Sequence, residues 1–104
     1  TGQDATVSGI QNILLGTQAM TVYKAIAKEA QATAQLVAAL SNGSSTSSIV
    51  NGQIKNANSK QIPSVLETPV AVDKSNIAST VLADGYVSKS DICQGVPAGT
   101  DGIC

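Results

Sequence analysis

Two helical patterns of apolar residues dominate the first half of the chain. Residues 4–15 carry apolar side chains at helical spacing, which predicts a helix with Asp4 as its N-cap and Gly16 at its end. The β-branched and aromatic residues within 17–23 predict a short strand. A longer helix is predicted for residues 25–40, ended by Asn42-Gly43, and its apolar face is expected to contain Ile26, Ala30, Val37 and Leu40.

Shorter elements are predicted for the second half. A flexible loop at 43–48 precedes a strand at 49–54 interrupted at Asn51-Gly52, and a turn follows at 56–60. Residues 64–72 are predicted to form a strand in which Pro69 indicates an edge or a bulge. Ser75 is predicted to cap a helix that runs to Ala83, with Ile77, Val81 and Leu82 inward, and that ends at Asp84-Gly85. A turn at 88–93 then leads into the tail. This order of elements predicts an α/β fold.

Length and composition indicate one folded piece. A chain of 104 residues is at most one domain, with room for a modest aliphatic core, since its only aromatic residues are two tyrosines. With 42% hydrophobic and 12% charged residues, it is too apolar to be predicted disordered. No run approaches the roughly 20 apolar residues of a membrane span, so we expect no membrane insertion of this segment.

Charge and residue types argue against several function classes. The net charge is −1, and the six lysines are scattered, so the clustered cations that bind nucleic acid are absent. The chain has no histidine, which removes imidazole-based triads and the common metal sites. The seven acids lie far apart in sequence, which gives no paired carboxylates for a hydrolase. We therefore expect no catalytic residues, no metal site and no cofactor.

Cys93 and Cys104 lie in a Gly- and Pro-rich tail and are the only cysteines. Their spacing excludes a CxxC redox motif and leaves a disulfide or two free thiols. A disulfide that closes a loop of about a dozen residues would contribute roughly 3 kcal/mol. We favour the disulfide, which implies an oxidising compartment.

Three polar residues near the start are candidates for ligand binding. Asp4 is predicted at a turn that opens a helix, where α/β sheets place ligands, and its carboxylate could accept from two neighbouring hydroxyls. Lys24 follows the predicted strand and could donate to a sugar oxygen, and the Gln18 amide could both donate and accept. Each also has a simpler interpretation: a helix cap, a solvated lysine and an ordinary strand glutamine.

Four stretches together carry a resemblance to a known family. They are TGQDA at 1–5, QNILLGTQAMTVYK at 11–24, LETPVAVDKSNI at 66–77 and TVLADGY at 80–86. The sequence resembles the carboxyl-terminal part of D-xylose-type periplasmic sugar-binding proteins of ABC transporters, and the similarity covers most of the chain in the family's order. The combination of GQDA with GTQ-x-MTVYK is more specific than either motif alone.

The resemblance implies part of a type I periplasmic-binding-protein fold, in which two doubly wound lobes enclose a sugar-binding cleft and three crossover strands act as a hinge. It implies that Asp4 and Lys24 bind sugar hydroxyls and, less directly, that Gln18 is a cleft amide. Residues 1–18 would belong to the C-terminal lobe, and residues 19–63 to a crossover and the N-terminal lobe. Residues 64–92 would return to the C-terminal lobe, and residues 93–104 would form the disulfide-closed tail.

The sequence also departs from the family pattern. The first lobe and most of the second have no counterpart, so we expect a processed or truncated piece that is completed by the remaining N-terminal portion or by a second copy. Two tyrosines cannot sandwich a sugar ring, and the remaining portion would have to supply that aromatic surface. The cysteine-containing tail is similar to that of Gram-positive lipoprotein relatives, which implies an extracellular or periplasmic location and, for the intact protein, a cell-surface lipoprotein.

The leading hypothesis is therefore part of an ABC-transporter receptor that takes up a monosaccharide such as a xylose-like pentose. Its partners would be that sugar, the remaining portion of the receptor and the ABC permease subunits. The alternative is a small secreted interaction module that derives from such a protein and no longer binds sugar. An enzyme ranks third.

Overall fold

The computed structural model describes all 104 residues, which form two compact units. Unit 1 consists of residues 1–24 and 69–104, and unit 2 of residues 25–68. Helices and strands alternate along the chain, in agreement with the predicted α/β class, and both strand pairs are antiparallel. The predicted assignment of segments to the lobes of a larger protein stays a prediction.

Helix α1 spans Val7–Leu14 and buries Ile10, Ile13 and Leu14 in unit 1. The prediction of Asp4 as its N-cap is wrong. Thr6 is the cap, because its hydroxyl accepts a hydrogen bond from the Gly9 amide at 3.1 Å. The predicted end is confirmed: Gly16 has a φ of 80°, the left-handed conformation that glycine supplies after a helix.

Strands β1 (Thr21–Tyr23) and β4 (Val70–Val72) form an antiparallel ladder in unit 1, with Thr21 opposite Val72 and Tyr23 opposite Val70. The strand predicted for residues 17–23 is therefore limited to its last three residues. The single strand predicted for residues 64–72 is wrong. Its start belongs to another strand and its end to β4, and Pro69, which cannot donate to a ladder, lies just before β4.

A π-helical turn at Ala78–Leu82 replaces the regular helix predicted from Ser75. Ile77 and Val81 are buried as expected, and Gly85, with a φ of 64°, lies in the turn that ends the segment. Ser75 is not a cap. Its amide and hydroxyl both donate to Oδ1 of Asp73, at 2.8 and 2.6 Å, so Asp73 organises this turn.

The C-terminal residues of unit 1 pack against helix α1. Helix α3 (Lys89–Ile92) occupies part of the segment predicted as a turn, and the Ser88 hydroxyl caps it. The predicted disulfide between Cys93 and Cys104 is present. Three apolar residues of α3 and the tail are buried in the core: Ile92, Val96 and Ile103. The Gln11 amide fastens the tail to α1 by donating to the carbonyls of Asp91 and Gln94, at 2.9 and 3.0 Å.

Unit 2 contains helix α2 (Ile26–Ser41) and a hairpin of strands β2 (Gly52–Lys55) and β3 (Gln61–Ser64). The long helix and the turn at 56–60 are confirmed. The strand predicted for residues 49–54 begins only at Gly52, within the predicted interruption, and is β2. The expected apolar face of α2 is exposed, since none of its residues is buried; the half-buried positions are Ala32, Leu36 and Ala39.

Candidate functional site

Asp4 and Lys24 lie side by side on the surface of unit 1. The Lys24 ammonium is 3.1 Å from Oδ1 of Asp4, and the two side chains are 41% and 57% exposed. A pair this open gains little from its own attraction, because water competes for both charges. The Asp4 carboxylate and the Lys24 ammonium therefore remain available for hydrogen bonds to the hydroxyl groups of a ligand.

The local backbone explains how residues so far apart in sequence meet. Residues 1–4 belong to no helix or strand and bend at residues 3–4, beside the start of β1. The Thr21 hydroxyl donates to the Asp4 carbonyl at 2.8 Å, and this bond fastens the segment to the strand. Lys24 directly follows the strand, so the segment that contains Asp4 runs close to the residues that precede Lys24.

Gln18 lies in the loop before β1, not in a strand, and is half-buried. Its amide nitrogen donates to the Met20 carbonyl at 2.9 Å. A Cβ at Gly2 would collide with that nitrogen, so the side chain lies directly against the first residues of the chain. The amide keeps a second N–H and its oxygen for other partners. The structure thus brings all three predicted residues to one part of unit 1.

The two tyrosines of the chain pack together, with Tyr23 at the end of β1 and Tyr86 38% exposed. Tyr23 is 3% exposed, and its hydroxyl donates to Oδ2 of Asp84 at 3.0 Å. Tyr86 packs against it, with ring centroids 4.9 Å apart and an interplanar angle of 56°. Burial and the neighbouring Asp84 raise the pKa of the Tyr23 hydroxyl, so it stays a protonated hydrogen-bond donor.

Sequence reasoning missed Thr21, whose hydroxyl supports Asp4. One signal was available, because a hydroxyl residue at a buried position of a strand requires a hydrogen-bond partner. Its partner, the Asp4 carbonyl, could not be inferred without knowing which segment runs beside the strand.

Two grooves of the protein lie apart from this group. Two open grooves of about 250 and 350 Å³ lie in unit 2, and their lining residues do not include Asp4, Gln18 or Lys24.

No cluster of three or more His, Cys, Asp or Glu side chains is arranged to hold a metal ion. No helix has the length and apolar character needed to cross a bilayer.

The fold is similar to part of a carbohydrate-transporter solute-binding protein. The crystal structure of such a protein from Chloroflexus aurantiacus, in complex with D-glucose, matches this chain with a TM-score of 0.75 and 29% identity. The match covers 86% of this chain and 25% of that protein. No family model matches the chain.

The sequence relatives include D-xylose-binding periplasmic proteins. The D-xylose-binding periplasmic protein of Escherichia coli K12 is 40% identical over 94 residues, and that of Haemophilus influenzae is 41% identical over 91 residues. Each alignment covers 88% of this chain but only 27% and 26% of the relative, so the chain spans about a quarter of their length. The resemblance inferred from the motifs is confirmed: this chain is related to D-xylose-type periplasmic sugar-binding proteins.

Proposed function

We propose that this chain contributes one wall of a monosaccharide site in an ABC-transporter receptor. The observation that carries the proposal is the contact between Asp4 and Lys24, which places a carboxylate and an ammonium 3.1 Å apart on an accessible surface. The names of the two sequence relatives support D-xylose or a similar pentose as the ligand.

The chemistry of the pair suits neighbouring sugar hydroxyls. The Asp4 carboxylate can accept from two hydroxyls, while the Lys24 ammonium donates to an oxygen of the same sugar. Gln18 would add a donor and an acceptor through the part of its amide that Met20 does not use. Hydrogen bonds to charged groups contribute about 1.5–3 kcal/mol each, which corresponds to roughly tenfold or more in affinity per residue.

The rest of the binding shell would come from outside this chain. Three polar side chains on an open surface cannot enclose a sugar, and ligand sites normally bury most of the ligand's area. We propose that the remaining receptor polypeptide, or a second copy, supplies the other wall and an aromatic surface, and that the two close around the sugar by a hinge. ABC permease subunits would then receive the ligand.

The proposed location follows from the relatives and from the disulfide. The two D-xylose-binding relatives are named as periplasmic proteins. A disulfide between Cys93 and Cys104 persists in an oxidising compartment. Together these support a periplasmic or extracellular receptor, and attachment as a lipoprotein remains part of the proposal.

Calorimetric titration with D-xylose tests the function, first with this chain alone and then with the remaining polypeptide of the receptor supplied. We expect measurable binding only in the second titration. Asp4→Ala and Lys24→Ala should each weaken that binding about tenfold or more. The matched control is the pair formed by Lys74 and Asp101, 3.2 Å apart and similarly exposed, whose alanine variants should bind xylose normally.

An interaction module is the second candidate, and one observation favours it. Helix α2 exposes Ile26, Val37 and Leu40 at 59%, 59% and 64%, a surface suited to contact with another protein. A completed receptor that shows no affinity for xylose or glucose would contradict the sugar-site proposal and favour the module.

A further inference from the structure

Thr21 is the one polar residue buried in the structure, with none of its surface exposed. Its neighbours in the core are apolar, so its hydroxyl must find a partner inside the protein. That partner is the carbonyl of Asp4, 2.8 Å away and seventeen positions earlier. The bond is thus a tertiary link between the start of β1 and the segment that carries the proposed sugar-binding carboxylate.

Asp4 needs such a link because its backbone is in an unusual conformation. Its φ is 68°, in the left-handed region that non-glycine residues seldom occupy, although aspartate tolerates it better than most. A conformation of this kind persists when the surroundings fix it, and it is concentrated at functional sites. The Thr21 hydroxyl is bonded to the carbonyl of this same residue.

The segment before Asp4 is adapted to the same contact. A Cβ at Gly2 would lie 3.2 Å from the Thr21 hydroxyl oxygen, a distance too short for a comfortable contact, and would collide with the Gln18 amide. Glycine at this position therefore lets the backbone approach Gln18 and Thr21 closely. The side chains of Gln18 and Thr21 therefore pack against the segment that contains Gly2 and Asp4.

We propose that Thr21 is a positioning residue for the sugar site. Its hydroxyl fixes the left-handed backbone of Asp4 and thereby holds the Asp4 carboxylate beside Lys24, which leaves the same strand three residues later. Thr21 does not touch the ligand. The inference rests on the proposed function for its biological meaning, whereas the geometric role concerns only residues within unit 1.

Nuclear magnetic resonance on the full 104-residue chain tests this role without sugar. The readouts are a strong intraresidue NOE between HN and Hα of Asp4, which reports a positive φ, and NOEs between the side chains of Asp4 and Lys24. Thr21→Ser keeps the hydroxyl and Thr21→Ala removes it. Both variants lose the threonine methyl group and are nearly equal in volume, so the comparison between them isolates the hydrogen bond. The amide shifts of Ile10 and Val81 report whether the core is intact.

We expect Thr21→Ser to retain both NOE signatures, and Thr21→Ala to lose them while the Ile10 and Val81 shifts are unchanged. Retention of both signatures in Thr21→Ala would overturn the proposal. So would collapse of the core shifts in Thr21→Ala but not in Thr21→Ser, since the hydroxyl would then support the whole unit. Loss of the signatures in Thr21→Ser would equally show that the hydroxyl is not the determinant.

The affinity for xylose, measured when the remaining polypeptide of the receptor is supplied, provides a second readout. Thr21→Ala should weaken xylose binding about three- to tenfold and Thr21→Ser should restore it, because one neutral hydrogen bond contributes about 1 kcal/mol. If xylose does not bind at all, the proposed function fails while the resonance experiment still decides the positioning role. If xylose binds and Thr21→Ala leaves its affinity unchanged, the positioning role is refuted and the function stands.

Discussion

The Tyr23 hydroxyl donates a hydrogen bond to Oδ2 of Asp84 at 3.0 Å and so ties strand β1 to the turn that follows the π-helical segment. The phenol is buried and packs against Tyr86, whereas Asp84 is exposed. Because the next residue is Lys24, this bond anchors the strand end from which the proposed sugar-binding lysine extends. Tyr23 is therefore a structural support of the site and not an open stacking surface.

Tyr23→Phe should lower the free energy of unfolding by about 1 kcal/mol, the usual net contribution of one hydrogen bond. The loss stays small because the Asp84 carboxylate can turn to water. Urea denaturation measures the change. Tyr86→Phe is the matched control, since the Tyr86 hydroxyl has no hydrogen-bond partner in the chain, and it should be nearly neutral. Equal losses in the two variants would contradict the assigned role of the bond.

The stability of the chain should fall at alkaline pH. Burial first, and then the hydrogen bond and charge of Asp84, raise the pKa of Tyr23 above its ordinary value of 10.0. A raised folded-state pKa contributes stability that is complete below the unfolded pKa and is lost as the pH rises through the folded pKa. Urea midpoints measured upward from about pH 10 should therefore decline more steeply for the wild type than for Tyr23→Phe.

Asp73 should contribute stability that is lost at acid pH. Hydrogen bonds from the Ser75 hydroxyl and amide lower the pKa of the Asp73 carboxyl below its ordinary 3.8. Its contribution to stability is present above the unfolded pKa and is lost as the pH falls through the folded pKa. Asp73→Ala should therefore be less stable than the wild type at neutral pH and approach it under strongly acid conditions. A constant difference across this range would rule out the linkage.

Reduction of the disulfide should destabilise the chain by roughly 3 kcal/mol, since Cys93 and Cys104 are separated by 11 positions. The tail contributes buried residues to unit 1, so its release also loosens the core. Unfolding with and without reductant measures the effect, and alkylation followed by mass measurement should find thiols only after reduction. The double variant Cys93→Ser/Cys104→Ser should be insensitive to reductant.

The same substitution should have different effects on stability at a buried and at an exposed isoleucine. Ile10 in α1 is fully buried, whereas Ile26 in α2 is 59% exposed. Ile10→Ala should cost about 2–5 kcal/mol because it leaves a cavity in the core of unit 1. Ile26→Ala in this chain alone should cost well under half as much. Similar losses would mean that the exposed face of α2 is covered in solution.

Local signals made some of the structure predictable. Helix α2 was placed within a residue or two because its run of Ala, Gln, Lys and Leu has high helix propensity and Asn42-Gly43 ends it. The cysteine pair followed from composition. The start of α1 was misplaced because Asp4 and Thr6 are both good caps, and only the backbone conformation decides between them.

Tertiary relationships were harder to predict. Residues 64–72 contain apolar residues throughout, and the sequence does not reveal that two separate sheets share them. The family motifs predicted Asp4 and Lys24 as sugar-binding residues but not their ion pair, and their role in sugar binding stays a prediction. Thr21 could not be assigned a role in advance, because its partner is a backbone carbonyl and leaves no mark on the pattern of side chains.

The pairing of Tyr23 with Val70 makes residues 25–68 a natural site for engineering. The chain leaves unit 1 after Tyr23–Lys24 and returns at Pro69–Val70, so the two ends of unit 2 start from neighbouring points of one ladder. Topologically, β1 and β4 are the arms of a hairpin, and all of residues 25–68 occupy the place of its turn. We expect this site to accept replacement, because a short loop could close the same arms without disturbing their register.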